Sequence, residues 1–206
     1  MTNLDFVKYY YIYNRGINGC NLFYTQENYH HFLRLYEKYI GPIAETYAWV
    51  LLKNHFHLLV RIKDKSEIDL SQLPTPVHSE VPVNARKLKA IHMYFSDLFN
   101  AYSQAINKQE HRTGSLFQRP FKRIEVQDET YFKHLVIYIH LNPVHHEFID
   151  KFEDYPWSSY GTVISLQPTK LRREEIIGRF TSKAEFVNLH NKEIDSTFLN
   201  NFVIED

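Results

Sequence analysis

The chain has 206 residues, of which 44% are hydrophobic and 16% aromatic, which is enough apolar material for a packed core. Its one cysteine, Cys20, excludes an internal disulfide and a cysteine-based zinc site, so a bound metal would need nitrogen and oxygen ligands. No apolar run approaches the roughly 20 residues that span a membrane, and the first residues lack the pattern of a signal peptide, so we expect a cytoplasmic protein.

The formal net charge of zero hides an asymmetry along the chain. Residues 1–144 carry 17 Lys and Arg against 13 Asp and Glu, whereas residues 145–206 carry 7 against 11. The first part is therefore net positive by 4 and the second net negative by 4. This excess permits a polyanionic partner, although evenly solvated surfaces produce the same imbalance.

A strand and a helix are predicted first. Phe6 to Tyr13 is rich in Tyr, Val and Ile and precedes Asn14-Arg15-Gly16, so it indicates a strand that enters a loop. Thr25, with Asn28 at the capping-box position, is typical of a helix start, and apolar residues at helical spacing continue to Ile40.

A β-hairpin and a long loop follow. Residues 45–52 and 55–63 are strand-like and are separated by the short polar pair Lys53-Asn54, which suits a tight turn. Residues 64–87 are polar, contain prolines and lack periodicity, which predicts a loop or lid.

The second half predicts two helices around a further β segment. Leu88 to Ile106 has helical periodicity, and Gly114 to Val126 alternates well enough for a strand or hairpin. Asp128 caps a third helix, which we expect to end near Asn142 because Pro143 disfavours helical geometry in the residue before it.

The predicted order is β-α-β-β-α-β-α, which an antiparallel sheet with helices packed on it satisfies, a fold of the α+β class. Arg172 to Phe180 and Ser182 to His190 then predict short helices that brace the domain or meet a partner.

The pair of histidines in His55-Phe56-His57 lies inside the apolar run from Leu51 to Val60. Side chains two residues apart point to the same face of a strand, so both imidazoles would lie side by side and could hold one metal ion. The alternative is a half-exposed strand whose imidazoles are satisfied by hydrogen bonds or water.

Tyr138 and Asn142 are four residues apart on the third predicted helix and share a face, with His134 one turn earlier. A tyrosine hydroxyl can attack a phosphodiester when a metal polarises the phosphate, and two imidazoles with a carboxamide would leave metal positions open for phosphate oxygens. The alternative is a half-buried tyrosine and an asparagine that ends the helix before Pro143.

Five segments, in this order, resemble the HUH single-tyrosine transposases, and above all their REP-associated tyrosine transposase branch. The segments are Asn14-Arg15-Gly16, His55-Phe56-His57-Leu58-Leu59-Val60, Gly114-Ser115-Leu116-Phe117-Gln118-Arg119, Tyr138-Ile139-His140-Leu141-Asn142-Pro143-Val144 and Trp157-Ser158-Ser159-Tyr160. The resemblance covers residues 6–160, so we expect one transposase-like domain over 1–160 and a C-terminal helical extension over 161–206.

The resemblance implies a ferredoxin-like antiparallel sheet with the histidines on a central strand and the tyrosine on a helix beside it. His55, His57 and Asn142 would bind a divalent metal, Mg²⁺ or Mn²⁺, and Tyr138 would be the nucleophile. The implied reaction is cleavage of single-stranded DNA, in which Tyr138 forms a 5′-phosphotyrosine and frees a 3′-hydroxyl that can later rejoin strands. Asparagine before proline at the third ligand fits the REP-associated branch, since other insertion-sequence enzymes often have glutamine there.

Basic residues near these motifs are the expected DNA contacts: Arg15, Arg119, Lys122 and Arg123. Phe117 and Phe121 lie beside them in sequence and are available for base stacking. The resemblance implies single-stranded or hairpin DNA as the partner, at the bacterial nucleoid. For each basic residue the alternative is a solvated strand face, and the oligomeric state, monomer or homodimer, stays open.

Two other functions are compatible with the sequence. A DNA-binding protein could keep the fold without transposition, although all of the proposed site residues are present. A metal-dependent phosphoesterase would use bound water, would leave Tyr138 in a structural role and would form no covalent adduct.

Overall fold

Four antiparallel strands form the centre of the computed structural model, which describes residues 3–74 and 87–192. The strands are β1 (Tyr9–Arg15), β2 (Ala44–Leu52), β3 (His55–Ile62) and β4 (Lys122–Val126). Their order across the sheet is β2-β3-β1-β4, so β3 and β1 are the inner strands.

Helices lie on both faces of this sheet. The α-helices of the described residues are α1 (Gln26–Tyr39), α2 (Ile91–Gln109), α3 (Glu129–His145), α4 (Tyr160–Ile164), α5 (Arg173–Arg179) and α6 (Lys183–Asn191). The element order up to α3 is β-α-β-β-α-β-α, which confirms the predicted α+β class and the antiparallel sheet.

Strand alternation divides the interior into two cores. Phe56, between the two histidines, packs against Phe32 of α1 and Phe99 of α2, with ring centroids 5.3 and 5.6 Å away. His55 and His57 have the opposite parity in β3, so they point to the other face, which α3 covers. The hairpin therefore presents the histidines to α3 while Phe56 anchors the strand from behind.

Thr25 begins α1 as predicted, and its capping box with Asn28 is present in both directions. The β2–β3 hairpin turns at Lys53-Asn54, also as predicted. The first strand is shifted relative to the prediction. It begins at Tyr9 and continues through Arg15, because that segment pairs with β3 along its whole length.

The predicted end of α3 at Asn142 is wrong. The helix continues through Pro143 to His145, and the His146 N–H donates to the Asn142 carbonyl over 3.0 Å. Pro143 lies in the last turn, where few backbone bonds remain to be lost, and it is buried together with Asn142, so tertiary packing outweighs the local preference.

The predicted strand or hairpin over Gly114 to Val126 is wrong in its first half. Only β4 is a strand, and Leu116 to Gln118 instead bond to the end of β1, where the Ile17 N–H donates to the Leu116 carbonyl over 2.9 Å. Pro120 has no N–H to continue a ladder, which separates this loop from β4.

Helices α5 and α6 confirm the short helices predicted after residue 171. Ile176, Phe180 and Phe186 are buried in the same cluster as Phe132 of α3 and Tyr160 of α4. The helices after residue 160 thus help to form the core beneath α3, while the proposed division at that residue stays a prediction.

Parts of two predicted segments lie outside the described residues, namely 75–86 of the long loop and 193–206 of the extension. In the part of the chain that is described, no helix has the length and apolar character needed to cross a membrane.

Candidate active site

The hairpin between β2 and β3 holds both histidines firmly in place. The Gly16 N–H donates to the Asn54 carbonyl over 2.8 Å, and the Leu22 N–H donates to the Lys53 carbonyl over 2.8 Å. His55 and His57 are 9% and 1% exposed, and their ring centroids are 5.0 Å apart. The pair is therefore preorganised by the backbone on both sides of the turn.

Helix α3 brings Tyr138 and Asn142 to the same place. The Asn142 Oδ1 atom lies 3.3 Å from His55 Nε2, although the two residues are 87 positions apart in sequence. The Tyr138 ring meets the His57 ring edge to face with centroids 5.9 Å apart. The four residues predicted as ligands and nucleophile thus form one cluster, in which Tyr138 and Asn142 are 6% and 0% exposed.

The unbroken last turn of α3 matters for this cluster. A helix that ended before Pro143 would release Asn142 from its position one turn beyond Tyr138. The observed helical bond from the His146 N–H to the Asn142 carbonyl keeps the amide on the face that looks at the histidines.

The protonation of His55 follows from its neighbour in the turn. Its Nδ1 lies 2.7 Å from the Asn54 Oδ1 atom, and with the amide in this orientation Nδ1 carries the hydrogen. In the neutral ring Nε2 then bears a lone pair, and it faces a second acceptor, Asn142 Oδ1. A cation between them, whether a proton or a metal ion, would satisfy both atoms.

Tyr11 of β1 makes the corresponding contact to His57. Its hydroxyl lies 2.5 Å from His57 Nδ1, and it is fully buried. Its ring is stacked on that of Tyr13 with centroids 4.8 Å apart. Each histidine therefore has an oxygen atom within hydrogen-bond distance of Nδ1, and its Nε2 can bind a metal when Nδ1 donates to that oxygen.

The donor set fits a divalent metal only if the amide takes part. Among residues 3–74 and 87–192, no three His, Cys, Asp or Glu side chains are arranged to hold a metal. Asn142 Oδ1 is the oxygen that lies next to the histidines, and its Nδ2 is buried without a hydrogen-bond partner among the described residues. Two imidazoles and one amide oxygen form a three-ligand set that leaves positions for substrate oxygens.

Gly16 joins two of the sequence motifs. The Gln118 N–H donates to the Arg15 carbonyl over 2.9 Å, and Gly16 forms an isolated β-bridge with Phe117. A Cβ atom at Gly16 would lie only 1.9 Å from the Cys20 carbonyl oxygen, so the tight turn after β1 needs glycine. Arg15, the residue before it, is the strand partner of His55.

The basic residues predicted to contact DNA are distributed over both faces of the sheet. Arg15 pairs with His55 and Lys122 pairs with Tyr13, so both belong to the histidine face, and Arg119 is exposed in the loop before β4. Arg123 is the next residue after Lys122 in β4, so its side chain points to the opposite face of the sheet.

Arg123 packs its guanidinium over the Phe121 ring, 4.9 Å from the centroid, and burial lowers the pKa of this guanidinium.

The expectation that Phe117 is available for base stacking is wrong. It is 4% exposed and packs against Phe99 in the core between the sheet and α2, with ring centroids 5.0 Å apart. Contact of the four basic residues with DNA stays a prediction.

Residues 157–159 extend the outer edge of β2. The Leu51 N–H donates to the Trp157 carbonyl and the Ser159 N–H donates to the Trp49 carbonyl, each over 2.9 Å. The Trp157 ring stacks on Tyr29 of α1 with centroids 4.4 Å apart. This short segment covers a free strand edge and carries Ser159 under α3.

A buried chain of hydrogen bonds passes through His140, which lies on α3 between Tyr138 and Asn142. Its Nε2 is 2.8 Å from Ser159 Oγ, and its Nδ1 is 2.8 Å from Nε2 of His190 on α6. His190 Nδ1 donates to the Phe186 carbonyl over 2.7 Å. Burial lowers the pKa of His190 to about 4 and holds that of His140 well below its usual value, so both rings are neutral at pH 7.

The bonds of this chain have one consistent direction. Since the Phe186 carbonyl can only accept, His190 Nδ1 carries the hydrogen and its Nε2 accepts from His140 Nδ1. His140 Nε2 then accepts from the Ser159 hydroxyl, whose oxygen in turn accepts from the Trp49 N–H over 2.9 Å. The chain fixes α3 to β2 and α6 at the level of the candidate site.

Sequence reasoning missed Tyr11, Asn54 and two histidines at the end of α3. The centroid of the His146 ring lies 4.6 Å from that of His55, and the centroid of the His145 ring lies 6.0 Å from that of Tyr138. Both His145 and His146 are exposed. Asn54 could have been identified as the direct neighbour of His55. Tyr11 could not, because its contact depends on the register between β1 and β3.

Comparisons with known proteins show what the chain resembles in sequence and in fold. No protein-family profile matches the chain. The chain is 27% identical over 119 residues to a Haemophilus influenzae protein named "Putative REP-associated tyrosine transposase", an alignment that covers 56% of this chain and 58% of that protein. The chain thus spans little more than half the length of this relative.

A solved structure titled as a REP-associated tyrosine transposase bound to a REP hairpin has the same fold, with a TM-score of 0.56 and 17% sequence identity. The likeness covers 82% of this chain and 87% of that one. The motif-based resemblance to REP-associated tyrosine transposases and the ferredoxin-like fold that it implied are confirmed.

Proposed function

We propose that this chain is a metal-dependent endonuclease and strand transferase for single-stranded DNA, with Tyr138 as the nucleophile. The observation that carries the proposal is the convergence of residues from β3 and α3. His55 Nε2 lies 3.3 Å from Asn142 Oδ1, and the His57 ring lies against that of Tyr138. Two imidazoles and a side-chain amide, brought together from β3 and α3 in a buried site, supply nitrogen and oxygen ligands that a divalent ion accepts.

His55, His57 and Asn142 would hold the ion, with Mg²⁺ or Mn²⁺ as the candidates. The ion would polarise a phosphate and neutralise the charge that develops during the attack. Imidazole ligands favour Mn²⁺ in softness, whereas the amide and substrate oxygens suit either ion. Arg15, on the same face as its strand partner His55, is suited to contact the phosphate that lies across the cluster.

In the proposed reaction the Tyr138 oxygen attacks phosphorus while the bond to the 3′ oxygen breaks. The tyrosine loses its proton, and the leaving oxygen takes one up to become a 3′-hydroxyl. The 5′ end stays on the protein as a phosphotyrosine, so a 3′-hydroxyl can later attack this linkage and release Tyr138. The number of phosphoester bonds is unchanged, and no nucleotide cofactor is consumed.

Hairpin DNA with a flanking single strand is the proposed substrate. Support comes from the likeness to a protein solved with a REP hairpin and from the basic side chains of the histidine face. Arg15 and Lys122 would contact the backbone, with Arg119 in the adjacent loop. Arg123, on the opposite sheet face, would contact DNA only if the strand passes around the edge at β4.

The test is to incubate the protein with end-labelled hairpin DNA and Mn²⁺ and to search for a protein–DNA adduct that survives denaturation. Tyr138→Phe should abolish the adduct and leave DNA binding unchanged. Tyr131→Phe is the matched control, since Tyr131 lies two turns earlier on α3, is equally buried, and has its pKa raised to about 12 by burial. This control should form the adduct normally.

Other outcomes would contradict parts of the proposal. Free cleavage products without an adduct in the wild type would indicate a water-using phosphoesterase. Binding without any cleavage, at all Mn²⁺ concentrations, would indicate a DNA-binding protein. Full activity of His57→Ala would refute the proposed metal ligands.

A further inference from the structure

We propose that Tyr11 is a positioning residue that selects Nε2 of His57 as the metal-binding nitrogen. This inference rests on the proposed function, because it concerns the metal that His55, His57 and Asn142 would hold. It adds Tyr11 to that site, a residue of β1 that lies outside all of the recognised motifs.

The contact between Tyr11 and His57 is built by the register of the sheet. Tyr11 pairs with Leu59 and Tyr13 pairs with His57, so all of these side chains share one face. The Tyr11 ring lies nearly parallel to that of His57, with 5.7 Å between centroids and 7° between planes. Its hydroxyl reaches Nδ1 at 2.5 Å, and both residues are almost fully buried.

The direction of this hydrogen bond decides whether His57 can bind a metal. If the Tyr11 hydroxyl donates to Nδ1, the neutral imidazole carries its hydrogen on Nε2 and has no lone pair there. If Nδ1 donates to the Tyr11 oxygen, Nε2 is free to bind the ion. A hydroxyl can accept as well as donate, so it can support the second state and hold the ring plane at the same time.

Asn54 supplies the comparison within the same site. Its Oδ1 atom lies 2.7 Å from His55 Nδ1, and in this orientation the amide accepts from Nδ1 and supports the metal-binding tautomer of His55. The hydrogen bond between His57 and its partner Tyr11 can reverse its direction, because a hydroxyl both donates and accepts. We therefore expect His57 to be the ligand whose tautomer responds to metal, while His55 stays in one form.

The test of this role measures Mn²⁺ binding to Tyr11→Phe in the absence of DNA. Electron paramagnetic resonance reports the concentration of the free ion. Loss of an outer-shell partner should raise the Kd for Mn²⁺ about 10- to 100-fold. Tyr36→Phe is the matched control, because it removes another buried tyrosine hydroxyl, 2.8 Å from Thr46 Oγ1 on the other side of the sheet. It should leave the Kd unchanged.

A second measurement needs no variant. The ¹⁵N resonances of His57 in the wild-type protein should change to the form with hydrogen on Nδ1 as Mg²⁺ is added, while those of the buried His140 stay constant. An unchanged Kd in Tyr11→Phe, or a metal-saturated His57 with hydrogen on Nε2, would overturn the inference alone. A wild-type protein that binds neither ion would refute the metal site of the proposed function itself.

Discussion

Ser159→Ala should destabilise the protein strongly, although it removes a single oxygen atom. The Ser159 hydroxyl accepts from the Trp49 N–H over 2.9 Å and lies 2.8 Å from His140 Nε2, and the residue is fully buried. The substitution leaves a strand N–H and a ring nitrogen without partners in a place that water does not reach. His190, farther along the same chain of bonds, cannot replace the lost hydroxyl.

The size of the effect follows from those two groups. Each buried polar group left without a partner costs about 1–3 kcal/mol, so the loss of two partners should lower the free energy of unfolding by about 2–6 kcal/mol. For a chain of this length, about 2–4 °C of melting temperature is lost per kcal/mol, which gives a decrease of roughly 4–24 °C.

Ser158→Ala is the control, since the Ser158 hydroxyl accepts just one bond among the described residues, a local one of 3.3 Å from the Tyr160 N–H. We expect a loss of less than about 1 kcal/mol for it. Urea unfolding followed by circular dichroism would measure both variants. If Ser159→Ala were no less stable than Ser158→Ala, the assignment of donors and acceptors along the chain of bonds would be wrong.

Three further predictions follow from the geometry. His190 has a folded-state pKa of about 4, below its value in the unfolded chain, so its contribution to stability is present above about pH 6.5 and is lost as the pH falls, by roughly 3 kcal/mol at pH 4. Urea titrations should show a smaller loss in His190→Phe, and an equal loss would contradict the assignment. Gly16→Ala should cost about 1–3 kcal/mol because its Cβ would collide with the Cys20 carbonyl, whereas Gly161→Ala meets open space and should be neutral or stabilising in thermal unfolding. Arg15→Gln should weaken binding of single-stranded DNA and lower the slope of log Kd against log salt by about 1, while Arg34→Gln, on the far side of the sheet, should change neither quantity in a fluorescence titration.

Local patterns in the sequence predicted most of the elements correctly. The capping box at Thr25 and the period-2 and period-3.6 patterns depend on neighbours in sequence, and these gave the order of strands and helices. The histidine pair and the Tyr138–Asn142 spacing could be identified for the same reason. Their meeting was an inference from the resemblance, because nothing local in either segment specifies a contact across 87 residues.

Apart from Asn54, the features that were missed depend on tertiary packing. Pro143 stays helical because tertiary packing buries Asn142 and Pro143, and no local rule for proline includes that packing. Phe117 turned inward because its loop bonds to the end of β1. Tyr11 was one of several tyrosines in a β-rich segment until the register of β1 against β3 placed its hydroxyl on His57.

The most direct test of the central claim is to identify the residue that carries DNA. The adduct formed on hairpin DNA with Mn²⁺ would be digested with nuclease and protease, and the modified peptide sequenced by mass spectrometry. We predict a nucleotide linked through its 5′ phosphate to Tyr138. A nucleotide attached to any other side chain, or cleavage with only free 5′-phosphate ends, would contradict the assignment of Tyr138 as the nucleophile.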